Sequence, residues 1–195
     1  YMLESNKVKQ LIKTWHLQQL YKTRAEMNGC ESNTALRNCS KNIDIIAEGM
    51  HNFLSVQGSV LSEKLNNGVK IRIISCDSET MLAQRYRDES RSGKCEGNAT
   101  ADQVYELFCW VKEQSKNGNL EIRFHNSYPA FSYLRIDSHV FIGPNLWHRP
   151  SQQSFAMSFD GGEGAEYFQN YFDELWNSEF VHPELHLNIK QMEGD

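Results

Sequence analysis

Phe131-Ser-Tyr-Leu-Arg-Ile-Asp-Ser-His-Val-Phe-Ile-Gly-Pro-Asn145 consists of two short runs of β-type residues joined by a polar turn. Tyr133, Leu134 and Ile136 make the first run apolar, and Val140, Phe141 and Ile142 do the same for the second. Asp137-Ser-His139 supplies the turn and Gly143-Pro144 the stop. The spacing predicts a hairpin at the centre of a sheet.

Upstream, Ile43–Ala47 reads as a strand, Met50–Asn66 as a helix stopped by Asn66-Asn-Gly68, and Val69–Ile74 as a second strand. This order predicts a βαβ unit with two parallel strands and a right-handed crossover. Ala101–Lys116 repeats the helical spacing through Val104, Leu107, Phe108 and Val111, and Leu120–Phe124 follows as a third strand. Residues 77–100 are polar and read as a short helix with a loop, either a lid or a solvated excursion.

Downstream, Phe155–Phe159 alternates as a strand with one buried face. Glu166–Phe180 places Tyr167, Phe168, Tyr171, Phe172, Leu175 and Trp176 at helical steps. At the other end of the chain, Val8, Leu11, Ile12, Trp15, Leu20 and Tyr21 predict one amphipathic helix over Glu4–Met27, capped by Asn28-Gly29. A short helix over Ser32–Ser40 follows. The expected division is an N-terminal helix for linkage or dimerisation in 1–30, a globular domain in 31–181 and a tail in 182–195. The first residue is Tyr1, which suggests a part of something longer.

The 195 residues carry a net charge of −5, with 23% charged and 39% hydrophobic side chains. That balance disfavours the broad cationic surface that binds duplex nucleic acid. No apolar run approaches the ~20 residues of a membrane span. Five cysteines without a CxxC pair predict free thiols in a reducing cytoplasm. The sequons Asn38-Cys-Ser40 and Asn98-Ala-Thr100 are read as chance.

Ile136-Asp-Ser-His-Val-Phe-Ile-Gly143 resembles the hairpin of the phospholipase D superfamily, whose motif is HxKxxxxD followed by a hydrophobic strand and GSxN. Gly68-Val-Lys-Ile-Arg-Ile-Ile74 and the Tyr167–Trp176 pattern are similar to other parts of a family half, so the likeness runs over residues 35–180. It implies an α/β fold: a mixed, largely parallel β-sheet flanked by helices on both faces. Asp137 matches the motif's Asp. Counting back, Ala130 stands at the nucleophilic His and Ser132 at the Lys, while Pro144 and Asn145 follow Gly143 in place of Ser-x-Asn. The family joins two halves into one site, and this chain carries one motif, which implies a homodimer.

Ala130 cannot attack phosphorus. His125, His139 and His148 are the residues that could replace the lost imidazole, each against the simpler reading of a surface or hydrogen-bonded histidine. Joined with Asp77, Glu48 or Asp137 they show no metal-ligand spacing, and no cofactor or metal is expected. Cys76, beside Asp77, has no histidine adjacent in sequence and reads as a buried, inert thiol. Asp137 in its tight turn reads as a backbone cap that outlasts catalysis. Arg135, a charge on a central strand, is either an anion contact or half of a salt bridge, and Asn145 joins it as a candidate ligand-binding residue.

Three function classes follow. The first is an inactive phospholipase D-like module for dimerisation or for sensing an anionic, phosphate-containing ligand, within a larger intracellular bacterial protein. The second is a working phosphodiesterase, nuclease or phospholipase with a displaced histidine at a dimer interface. A partner-binding scaffold with an irrelevant pocket is the third alternative.

Overall fold

The computed structural model describes residues 2–29, 31–47, 50–76, 99–114, 116, 118–125, 129–146 and 151–183. In chain order the elements are α1 (Met2–Trp15), β1 (Leu17–Tyr21), α2 (Arg24–Gly29), α3 (Glu31–Asn38), β2 (Asn42–Ile46), α4 (His51–Asn66) and β3 (Lys70–Cys76). They continue with α5 (Ala99–Gln114), β4 (Leu120–His125), β5 (Phe131–Ile136), β6 (His139–Pro144), a 3-10 turn (Ser151–Gln153), β7 (Ala156–Asp160), α6 (Gly162–Trp176) and β8 (Val181–His182).

The strands form one sheet in the order β1-β7-β6-β5-β2-β3-β4-β8, with the β5–β6 hairpin inside it. β2, β3 and β4 run parallel, as the βαβ reading of β2–α4–β3 requires. The other five pairings are antiparallel. The sheet is thus mixed, and more antiparallel than the expected "largely parallel". The hairpin and its meander into β7 need only tight turns, whereas each parallel pair needs a helical crossover.

Alternation along the strands separates two cores. Ile43, Ile45, Ile71, Ile73, Leu134, Ile136 and Phe141 face α4 and α5, with Met27 and Leu36 from α2 and α3 in the same cluster. Ile46, Ile74, Tyr133, Val140, Ile142 and Phe159 face α6, which contributes Ala165, Phe172 and Trp176. Tyr133 stacks on Phe172 at 5.4 Å. Helices therefore cover both faces, because the central strands are apolar on both sides.

A buried ionic layer lies under α6. Asp44, 1% exposed, accepts from Arg72 Nε at 2.7 Å and Arg135 Nη1 at 2.8 Å. Arg72 also reaches Asp173 at 2.8 Å and lies over the Phe172 ring. Burial alone pulls the Arg72 guanidinium down, but its bonds to Asp44 and Asp173 outweigh this and raise its pKa above the usual arginine value. β2, β3 and β5 are joined through the Asp44 carboxylate, and α6 is tied to them through Asp173 on Arg72.

The segment expected as one helix over Glu4–Met27 is instead helix, strand and helix. His16 takes φ 51° and ends α1. Leu17–Tyr21 then pairs with β7, which would otherwise lie at the sheet edge. A new helix begins after Thr23, whose Oγ1 accepts from Glu26 N at 3.3 Å, while Glu26 Oε2 accepts from Lys22 N. Thr23-Arg-Ala-Glu26 is a capping signal hidden inside the apparent helical period. Gly162, at φ 67°, begins α6 against His16, where an added Cβ would come within 2.6 Å of the ring.

Most of the polar stretch expected as helix and loop, residues 77–98, lies outside the described residues, as do His148 and residues 184–195. Among the described residues no helix is long and apolar enough to cross a membrane.

Candidate ligand-binding site

Two cavities open where β2, β3 and β4 end, β5 begins and β6 ends. The larger, about 460 Å³, lies on the α4 side and reaches Ser132, Gly143, Leu134 and Phe141 of the hairpin, with Met50–Gln57 and α2 around it. The smaller, about 200 Å³, lies on the α6 side between Ser75, Cys76, His125, Ala130 and Tyr171.

The strand pleat explains this division. Ser132 shares a face with Leu134 and Ile136, so the position matching the motif's Lys opens toward the larger cavity. Its Oγ finds no hydrogen-bond partner among the described residues. Ala130, matching the motif's His, lines the smaller cavity with His125 and Cys76. Cys76 and His125 are register partners on parallel strands, a juxtaposition concealed by their separation of 49 positions in sequence (125 − 76 = 49).

The cation in the larger cavity comes from Arg24. It is the only Arg, Lys, Asp or Glu among the described residues that line it. Arg24 Nη2 donates to Gly143 O at 2.9 Å, Pro144 O at 3.4 Å and Asn145 Oδ1 at 3.4 Å. Its own N–H donates to Ser154 O at 2.8 Å. Asn145 in turn donates through Nδ2 to Pro129 O, and its backbone N–H donates to Ala130 O. Arg24 is thus held where the two ends of the hairpin meet. Gly143 permits the approach, because a Cβ there would come within 2.8 Å of Phe155 O and 3.2 Å of Arg24 Nη2.

Uncharged polar groups complete the cavity. Gln57 Nε2 donates to Asn33 Oδ1 at 2.7 Å, and Asn52, Gln103 and Gln152 also face the space. At its rim His51 pairs with Glu106 at 2.6 Å, both half exposed. One positive charge among amides suits an anion that also carries hydrogen-bonding groups.

The other candidates lie elsewhere. Asp137 closes the far end of the hairpin, roughly 20 Å along β5 from Phe131 at ~3.3 Å per residue, and lines neither cavity. At φ 52° its carboxylate accepts from the N–H groups of Ser40, Lys41 and Asn42, each at 2.9 Å. Burial pushes this carboxyl up, and the three backbone donors more than offset it, leaving its pKa below the usual value. Arg135 takes the salt-bridge alternative: it is bound to Asp44 and to Asp137 O at 2.9 Å, and lines neither cavity. His139 sits at the same turn end, 3.5 Å from Asp160. Among the described residues no three His, Cys, Asp or Glu side chains are grouped to hold a metal ion.

No protein-family profile and no curated protein sequence matches this chain. Solved structures do. TrmBL2, an archaeal chromatin protein, superposes with a TM-score of 0.54 at 15% identity over 94% of this chain and 64% of its own. Phosphatidylserine synthase from Haemophilus influenzae gives 0.55 at 15% identity over 83% and 37%. NucT from Helicobacter pylori gives 0.52 at 13% identity over 85% and 98%. Phosphatidylserine synthase and NucT belong to the phospholipase D superfamily. The chain has the phospholipase D-like fold. It spans less than two thirds of TrmBL2 and just over a third of the synthase, and about the full length of NucT.

Within the phospholipase D-like frame, sequence reasoning located the hairpin, the cavity end of β5 and the cap at Asp137. It missed Arg24, which the helical period over Glu4–Met27 had absorbed. The capping signal at Thr23 and Glu26 was the clue that Arg24 opens a new helix.

Proposed function

We propose that this chain is a catalytically inactive phospholipase D-like domain that binds an anionic ligand in its larger cavity and serves, as a homodimer, as the sensing part of a larger protein. The observation that carries this reading is the contents of the hairpin end. Ala130 and Ser132 offer neither imidazole nor cation at the motif positions, while Arg24 supplies a positive charge to a cavity lined otherwise by amide, hydroxyl and apolar groups and the His51 imidazole. Binding without turnover fits that set, since Arg24 can hold an anion while neither motif position carries the imidazole on which the family's reaction depends. TrmBL2 is described by its DNA binding and not by a reaction, which supports a binding role for such a unit.

Calorimetric titration with nucleotides and sugar phosphates is expected to give saturable binding that Arg24→Ala weakens by at least ~10-fold, the loss of a charged hydrogen bond. Binding unchanged in Arg24→Ala would refute the site.

A second reading, a phosphodiesterase with a displaced histidine, draws support from His125, which lines the same cavity as Ala130. It requires His125 to meet a second imidazole from a partner subunit. Metal-independent cleavage of bis-p-nitrophenyl phosphate that disappears in His125→Ala would establish it and overturn the inactive reading. No turnover is expected.

A further inference from the structure

α1 is a helix that the described residues scarcely cover. From Asn6 to Thr14 every residue is exposed, and only Trp15 is partly buried, against Phe159 at 6.2 Å and Tyr167 at 5.9 Å. Val8, Leu11 and Ile12 are 56%, 61% and 45% exposed. With Trp15 they stand at i, i+3, i+4 and i+7, one continuous apolar stripe. A 14-residue helix is marginal in water without such a stripe being buried. Lys7 and Lys9 flank the stripe on its two sides.

α6 lies beside α1 on the same face of the sheet and presents the complementary surface. Its outward residues Glu163, Glu166, Tyr167, Asn170, Tyr171 and Glu174 fall on one helical face. Tyr167 is 61% and Tyr171 39% exposed. This face is aromatic and acidic where α1 is aliphatic and basic. Two patches of opposite character on one chain are self-complementary under a twofold axis, where each subunit gives one patch and receives the other. A foreign partner of one charge sign would meet both a favourable and an unfavourable patch.

We infer that the homodimer forms by reciprocal docking of α1 on the Glu163–Glu174 face of α6 in a second copy. The inference rests on the homodimer reading above and specifies its surface. It puts the contact on the α6 side of the sheet, and not at a site shared between two motif-bearing halves.

Multi-angle light scattering and sedimentation equilibrium on the full 195-residue chain test it. The wild type is expected to be a dimer, and the Leu11→Asp, Ile12→Asp double variant to dimerise at least ~100-fold more weakly with an unchanged core thermal transition. Because that variant could disturb α1 itself, a charge exchange gives a second readout. Lys7→Glu, Lys9→Glu in one preparation and Glu163→Lys, Glu166→Lys in another each set like charges together at both contacts and are expected to weaken self-association. Mixed together they are expected to form a heterodimer near wild-type affinity, since both contacts become opposite in sign. A wild-type monomer would overturn both the homodimer reading and this interface. A dimer unaffected by the α1 variants, or variants that fail to restore association on mixing, would overturn the interface and leave the homodimer standing.

Discussion

Removing the Asp137 carboxylate is expected to weaken the fold without touching the ligand cavity. Three backbone N–H groups at the start of β2 depend on it, from Ser40, Lys41 and Asn42, each at 2.9 Å. A hydrogen bond to a charged group contributes about 1.5–3 kcal/mol net. Ser40 and Lys41 are exposed, so water replaces part of the loss, and Asp137→Ala is expected to destabilise by about 3 kcal/mol instead of the full sum. At about 2–4 °C per kcal/mol for a domain of this size, the melting temperature falls by roughly 6–12 °C.

Asp137→Asn keeps the oxygen that serves Lys41 and Asn42, and asparagine tolerates the φ of 52°, so about 1 kcal/mol is expected. The folded carboxyl has a lowered pKa, so its stabilisation is complete above the ordinary value of 3.8 and is lost as pH falls through the lower folded value. The gap between wild type and Asp137→Ala should therefore be flat above about pH 5 and close below about pH 4. Urea unfolding followed by far-ultraviolet circular dichroism at both pH values measures this. A gap under about 0.5 kcal/mol at pH 7, or one that persists undiminished at pH 3, would refute the capping argument.

Three further outcomes follow from the same geometry. Asp44→Asn leaves Arg135 without its carboxylate and Arg72 with Asp173 alone, and should destabilise by about 3–5 kcal/mol in the same unfolding assay; a change under 1 kcal/mol would mean the ionic layer is not coupled to the core. Gly143→Ala drives a Cβ to 2.8 Å from Phe155 O and is expected to cost about 1–3 kcal/mol and to weaken ligand binding with it, by displacing Arg24; wild-type values for both would refute the close-approach argument. Burial pushes the Cys39 thiol up to about 11, so mass spectrometry after iodoacetamide treatment at pH 8 should find Cys39 unmodified until urea unfolds the chain.

The hairpin, the β2–α4–β3 unit and the helices α4, α5 and α6 were legible because each carries its own period and its own stop. Asp137 was legible as a cap for the same reason: a tight turn is a local event, and its chemistry travels with the residue. The place of Ala130 and Ser132 at the opposite end of the hairpin from Asp137 was equally plain, since the count back from Asp137 runs along one strand.

Arg24 and the N-terminal strand were not. Residues 17–21 form a strand because β7 offers an open edge, a condition that arises 135 residues later in the chain (156 − 21 = 135). Leu17, Leu20 and Tyr21 also fit a helical stripe, and local spacing could not separate the two. The choice for Arg135 between an anion contact and a salt bridge was made by the register of β2 against β5, which set Asp44 opposite it, and the meeting of Cys76 with His125 depends in the same way on β3 pairing with β4. The identity of a side chain and its neighbours along the chain tell which element it joins and what chemistry it can carry. Its partners across the sheet, and the cavity it faces, come from pairings between distant segments, whose register is settled only when the apolar faces of every strand are buried together.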